Sequence, residues 1–254
     1  MRHRDVPPTK AFAWPEGVQS AVSLTFDDAK PSQAALGLPL LDEYGVKATF
    51  YILPQAAEPD VEVWRKAVAD GHEIGNHTTT HPCSGNTIFM RDNALEDYTL
   101  EMIAAEIDGA QAAIRDLLGV EARTFAYPCG HTSVGRGTRL QSYIPLVAER
   151  FLAGRGWLEL RHNCPEFCDL AHLYCVPVDQ EPFEEAKRLI DNARDQGGWL
   201  ILASHHIGQV ADWQMTLDRT LRSICEYAQE PENGIWLDTL VNVAQYVCDQ
   251  RLGR

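Results

Sequence analysis

The sequence predicts an α/β fold with a mainly parallel sheet, closed as a barrel or doubly wound. Three observations predict it. Short β-rich apolar runs alternate with longer amphipathic runs along the chain. Glycines stand where several amphipathic runs end. The reactive side chains follow apolar runs, the place where sites form in such folds. Strand–helix alternation implies parallel pairing. The 254 residues suit one large domain, and no linker, repeat or low-complexity segment divides them. One domain over residues 1–254 is therefore expected, with a core from about 20 to 250.

The elements follow in order. Ala21 to Phe26 is β-rich and runs into Asp27-Asp28. Leu36 to Tyr44 has helical spacing and stops at Gly45. Ala48 to Leu53 has the length and composition of a buried strand. Val61 to Asp70 reads as a helix ending at Gly71, and His72 to Gly75 as a short strand leading to His77. Leu95 to Leu118 is the longest amphipathic run, closed by Gly119. Arg123 to Tyr127 is a strand stopped by Pro128, Ile144 to Leu152 a helix, and Cys175 to Asp179 a strand. Glu184 to Gln196 is a helix, and Trp199 to Ala203 a strand delivering Ser204-His205-His206. A helix over Thr216 to Gln229, a strand over Ile235 to Leu237 and a helix over Asp238 to Gln250 complete the chain. Residues 130–175 fit the alternation worst and are expected to form long loops.

Composition excludes some partners. Lysine plus arginine number 22 against 36 acids, a net charge of −14. Such a chain repels nucleic acid and anionic lipid. No apolar run approaches the roughly 18 residues of a membrane span. Met1 to Pro15 lacks the apolar run of a secretory signal, so a cytoplasmic location is expected. Seven cysteines make an odd count in a long chain, which favours reduced thiols over a disulfide framework. Cys83 reads as packing. Cys164-Pro165-Glu166-Phe167-Cys168, with His162, His172 and Cys175 nearby, has poor zinc spacing and reads as loop packing. The oligomeric state is not legible.

The chemistry gathers at strand ends. Adjacent carboxylates at Asp27 and Asp28 can divide labour, one binding a cation and one taking a proton. His77 and His81 lie four apart, a spacing that reaches one metal if the segment is helical. His72 precedes its strand and reads as structural. One Asp and two His make an open ligand set that leaves room for water and substrate.

These residues resemble the polysaccharide deacetylases, the NodB-like carbohydrate esterase family 4. Thr25-Phe26-Asp27-Asp28 is similar to the family's first motif, and His77-Thr78-Thr79-Thr80-His81 to its second. Phe125 to Gly130 resembles the third, and Leu200 to His205 the strand ending in the catalytic histidine. The resemblance implies a single distorted (β/α) barrel, often seven-stranded, that removes N- or O-acetyl groups from an acetylated saccharide with a divalent metal. Zinc is expected first, with cobalt or manganese as alternatives. Asp27 would be the general base, and Asp28, His77 and His81 the metal ligands. The backbone N–H of Cys129 would help hold the oxyanion. His205 would protonate the leaving group, oriented by Asp179, with His206 as the alternative acid.

The chain departs from the family pattern at three places. Ala126 stands where an arginine usually holds the catalytic aspartate, leaving Arg123, Arg136, Arg139 and Arg155 as candidates to replace it. Cys129 stands where an aromatic is usual, and no tryptophan follows Asp179. Two other readings keep the fold: hydrolysis of a non-sugar amide such as an imide or ureide, and a non-catalytic carbohydrate-binding barrel.

Overall fold

The computed structural model describes residues 12–159 and 161–253, the side chain of Phe89 excepted. Residues 1–11 of the stretch read for a signal lie outside the described residues. Eight strands form one sheet: β1 Ser20–Asp27, β2 Thr49–Ile52, β3 Glu73–Asn76, β4 Thr124–Ala126, β5 Ala153–Arg155, β6 Val176–Pro177, β7 Trp199–Ser204 and β8 Ile235–Leu237. Seven lie in the order β5-β4-β3-β2-β1-β7-β6, and every pairing is parallel. Leu173, just before β6, pairs with Arg155 in β5. Two backbone hydrogen bonds, from Leu173 N–H to Gly154 and from Gly156 N–H to Leu173, join the edges at 2.7 and 2.8 Å. This is the seven-stranded distorted barrel. The eighth strand, β8, pairs with the start of β1 on the edge whose end pairs with β2.

Seven main helices connect or follow the strands: α1 Leu38–Glu43, α2 Val61–Ala69, α3 Leu100–Leu118, α4 Ile144–Arg150, α5 Phe183–Asp195, α6 Asp218–Gln229 and α7 Leu240–Leu252. The run read as one helix from Leu95 is a 3₁₀ turn over Leu95–Asp97, followed by α3. Thr99 decides the start, because its extended backbone and side-chain acceptor cap Met102 N–H. Such a cap stabilises by about 1 kcal/mol. Gly119 closes α3 at φ 73, a left-handed position that penalises a β-carbon. The helix read from Thr216 begins at Asp218, because Met215–Leu217 pairs with His206–Gly208. β5 lies in the stretch expected to be loop, since Ala153-Gly154-Arg155 carries no β-rich signature.

Strand parity sorts side chains between two cores. Val22, Leu24, Phe26, Phe50, Ile52, Ile74, Phe125, Leu200 and Leu202 face the helices in the larger cluster. Ala21, Tyr51, Ala126, Ala153, Trp199, Ile201 and Ala203 belong to the second cluster, inside the barrel. The same inward parity, continued to the strand ends, reaches Asp27, His77, Arg155, Asp179 and His205. Gly75 is needed on this face, because a Cβ there would lie 2.3 Å from the Tyr51 ring.

The opposite mouth is plugged. α7 contributes Leu240, Val243, Ala244 and Val247 to the inner cluster. Its first amides donate to side chains at the strand starts: Leu240 N–H to Thr49 Oγ1 at 2.8 Å and Val241 N–H to Glu73 Oε2 at 2.8 Å. A carboxylate at a helix N-terminus is favoured by the unpaired amides and the helix dipole. With that end closed, the carboxyl ends of the strands form the open mouth. Among the described residues no helix is long and apolar enough to cross a membrane.

Candidate active site

Asp28, His77 and His81 converge at the open mouth, their ligand atoms all within 4.8 Å of one another. Asp28 Oδ1 lies 3.5 Å from His77 Nε2 and 3.8 Å from His81 Nε2. Ligand atoms around a tetrahedral zinc are spaced by about 3.4 Å. Asp28 Oδ1 is buried without a hydrogen-bond partner, an orphaned acceptor that a cation would satisfy. Burial alone would raise the Asp28 carboxyl, but His77, His81 and Lys30 outweigh it and hold it at about 2. Burial and the neighbouring His77 push His81 down to about 4, which keeps its imidazole neutral. His77 Nδ1–H donates to the Ala126 carbonyl at 2.9 Å, leaving Nε2 to face Asp28. The donor set fits a divalent metal.

The two histidines do not meet through a helix. Residues 77–81 form a loop with bends, and Thr78 and His81 have φ of 69 and 55. The loop is pinned from both sides. Asn76 Oδ1 accepts from Thr78 N–H at 2.9 Å, and Thr78 Oγ1 from His81 N–H at 3.0 Å. Glu106 of α3 accepts from Thr79 N–H, Thr80 N–H and Thr80 Oγ1–H at 3.1, 2.8 and 2.8 Å. Sequence reading missed Glu106, whose only signal is its place on the polar face of a helix. His72 lies apart as expected, accepting from Ala48 N–H at 3.2 Å.

Asp27 is buried, and its Oδ1 accepts from Arg155 Nη2. Arg155 is fully buried, stacks over Tyr51 at 4.8 Å, and donates through Nη1 to Gly156 O at 3.0 Å. Burial works against its charge, but Asp27 raises its pKa further above the usual arginine value. The other three candidates are spent elsewhere or exposed: Arg123 donates to Gln245, Arg136 to Asp97, and Arg139 is solvent-exposed. Asp27 Oδ2 lies 4.0 Å from His77 Nε2, beside the ligand set.

His205 is buried and faces the same mouth. Its Nδ1–H donates to Asp179 Oδ2 at 2.6 Å and its backbone N–H to Asp179 Oδ1 at 3.1 Å. Burial disfavours the imidazolium, but Asp179, Asp27 and Asp28 raise the His205 pKa overall. Trp157 packs edge-on against the ring at 4.8 Å. Gln33 was also unforeseen. Its Nε2 donates to the backbone oxygens of Asp27 and His205 at 2.6 and 2.8 Å, tying β1 to β7 at the mouth. His206 has the opposite parity and its Nδ1 lies 3.3 Å from Ser32 Oγ.

Cys129 follows β4 at φ 52 and forms a disulfide with Cys83, the Cα atoms 6.1 Å apart. The expectation of reduced thiols throughout, and of Cys83 as mere packing, is thus corrected. Spacing could not show the pair, because 46 residues and a whole helix separate its members. Among the described residues, ligand-type groups converge only at Asp28–His77–His81 and at His81–Cys83–Cys129. Burial raises the Cys168 and Cys175 thiols to about 11 and 12, as packing thiols rather than metal thiolates.

A sequence profile described as polysaccharide deacetylase matches residues 15–141, half of the chain. The chain belongs to the polysaccharide deacetylase family. This deacetylase-family chain is 43% identical over 63 residues to a chitooligosaccharide deacetylase of Sinorhizobium fredii, covering 24% of the chain and 29% of that protein. A family 4 acetyl xylan esterase from Clostridium thermocellum, solved with a cobalt ion, superposes with TM-score 0.57 at 23% identity, covering 89% of this chain and 90% of that one. An allantoinase structure superposes with TM-score 0.66 at 16% identity, covering 94% of each. These likenesses show the barrel fold. The family is metal-dependent. The chain spans between 5% and 47% of the length of eight curated relatives that it matches.

Proposed function

We propose that this chain is a single catalytic barrel that hydrolyses acetyl groups, N- or O-linked, from an acetylated saccharide, with a divalent metal held by Asp28, His77 and His81. The observation that carries the reading is one mouth holding three things: an open Asp-His-His set, a carboxylate braced by a buried guanidinium, and a histidine braced by a carboxylate. When bound, the metal polarises the acyl carbonyl and lowers the pKa of water toward 7. Zinc suits this oxygen–nitrogen donor set, with cobalt or manganese as alternatives.

Asp27 takes the proton of the attacking water. Arg155 fixes its Oδ1, so Oδ2 is left toward the ligand set. The backbone N–H of Cys129 supplies a hydrogen bond to the developing oxyanion. His205 then gives a proton from Nε2 to the departing nitrogen or oxygen, while Asp179 holds Nδ1–H and the ring orientation. Asp179 and the two acids near the metal favour the protonated ring, as a general acid requires. The inward parity of β7 supports His205 rather than His206 in this role.

The test is acetate release by metal-loaded protein from N-acetylglucosamine oligomers and O-acetylated xylan oligomers, with a cyclic ureide as control. Acetate release abolished by chelation and restored by Zn²⁺ or Co²⁺ is expected. Release unaffected by chelation, or turnover of the ureide alone, overturns the reading.

A further inference from the structure

One wall of the mouth carries a second group of donor atoms that the proposed hydrolysis does not use. The His81 imidazole stands between two sets. Its Nε2 lies 3.8 Å from Asp28 Oδ1, and its Nδ1 lies 3.6 Å from Cys83 Sγ. Cys83, Cys129 and His81 place their ligand atoms within 4.8 Å of one another. A nitrogen and a thiolate on one tetrahedral zinc stand about 3.6 Å apart, and two thiolates about 3.8 Å. The His81–Cys83 separation already has that value. The sulfurs would need only to part by side-chain rotation.

The backbone holds both cysteines independently of their bond. The Cys83 carbonyl accepts from Leu95 N–H at 2.9 Å, and Ser84 N–H donates to His131 Nδ1 at 3.2 Å. On the other side, Gly130 N–H donates to Tyr127 O at 2.9 Å and His131 N–H to Pro128 O at 3.0 Å. Cys129 is half-buried and Cys83 fully buried, so an ion reaches the pair from the side of Cys129.

We propose that reduction of the Cys83–Cys129 disulfide converts this wall into a second cation site, formed by the two thiolates and His81 Nδ1, for a thiophilic divalent ion such as Zn²⁺ or Cd²⁺. A dithiol supplies the two electrons and two protons. The S–S bond breaks, two thiols form, and the reductant leaves as its own disulfide. Binding the ion then releases both thiol protons. Soft thiolates select such ions over magnesium or calcium. The fourth position stays open to water.

The two sites share one imidazole. A neutral imidazole offers a single lone pair, so it serves Asp28's side through Nε2 or the sulfur side through Nδ1. In the oxidised chain Nε2 faces Asp28 and Nδ1 faces the Cys83 sulfur. An ion held by the thiolates draws the lone pair to Nδ1 and the proton to Nε2. Reduction in the presence of a soft ion thus takes His81 away from the Asp28–His77 pair.

The experiment titrates Co²⁺ into the metal-free full chain, oxidised or reduced with a dithiol and desalted under nitrogen, and reads absorption. A thiolate-to-cobalt charge-transfer band is expected in the reduced chain and absent in the oxidised chain. It should be lost in reduced Cys83→Ser/Cys129→Ser and kept in reduced Cys164→Ser/Cys168→Ser. No band in the reduced wild-type chain overturns the proposal, as does a band that survives the Cys83/Cys129 change. The readout needs no turnover, so it stands or falls separately from acetate release.

Discussion

Arg155 is the register partner of Ala126 on the adjacent parallel strand, and from there its guanidinium reaches the Asp27 carboxylate. The positive charge expected at 126 has moved one strand sideways while keeping its inward parity. The ion pair with Asp27 is set by geometry and not by position in the chain.

Removing one partner of a buried ion pair leaves the other charge uncompensated, at about 3–5 kcal/mol. Arg155→Ala should lower stability in urea unfolding by that amount and reduce kcat. Ala126→Arg/Arg155→Ala should recover part of kcat, because position 126 faces the same interior. A double variant no better than Arg155→Ala would refute the relocation.

The ligand set and the base should separate in metal analysis. Asp28→Ala, His77→Ala and His81→Ala are each expected to lose bound metal. Asp27→Asn should keep the metal and lose turnover by about 10²–10⁴, the usual contribution of a general base. Full turnover in metal-loaded Asp27→Asn would remove Asp27 from that role.

The His205 pKa is raised in the folded chain, so folding favours its protonated form. The stability this brings is complete below the ordinary imidazole value of about 6.5 and is lost as pH rises through the raised value. Activity needing the imidazolium should fall on the same alkaline side. Asp179→Asn removes the main raising contact, so the alkaline limb of kcat should move to lower pH. A pH–rate profile is the check, and an unmoved limb would contradict the assignment.

Glu106 touches no ligand atom but holds the amides of Thr79 and Thr80 between His77 and His81. Outer partners of this kind are worth about 10–100-fold in metal affinity. Glu106→Ala should weaken Zn²⁺ binding by that factor in a competition titration, with the fold retained by circular dichroism. Unchanged affinity would show that the left-handed residues of the loop hold it alone.

Most of the barrel was legible. Ala21 to Phe26 is legible as a strand, and strand periodicity puts Asp27 on the same face as Ala21 and Ser23. The same holds for Trp199, Ile201 and Ala203 ahead of His205. β5 was not legible, because three small or charged residues have no strand signature, and their pairing is with β4, about 30 residues away in the chain. The joining of His77 with His81 was foreseen through helical spacing, but a loop achieves it with two residues at positive φ. Local spacing shows which residues can meet, and side-chain acceptors such as Thr78 Oγ1 and Glu106 decide by which path.

The sequence by itself determined the alternation of strand and helix and the motif residues at the strand ends, because these depend on neighbours a few positions away. The tertiary structure alone decided that Arg155 and not Arg123, Arg136 or Arg139 serves Asp27, across 128 residues. It also decided that Cys83 meets Cys129, that Trp157 stands beside His205, and that His81 turns one nitrogen to each of two ligand groups. The contacts of Arg155 with Asp27 and of Trp157 with His205 join segments far apart in the chain that only the assembled barrel brings together, and no local propensity encodes that assembly.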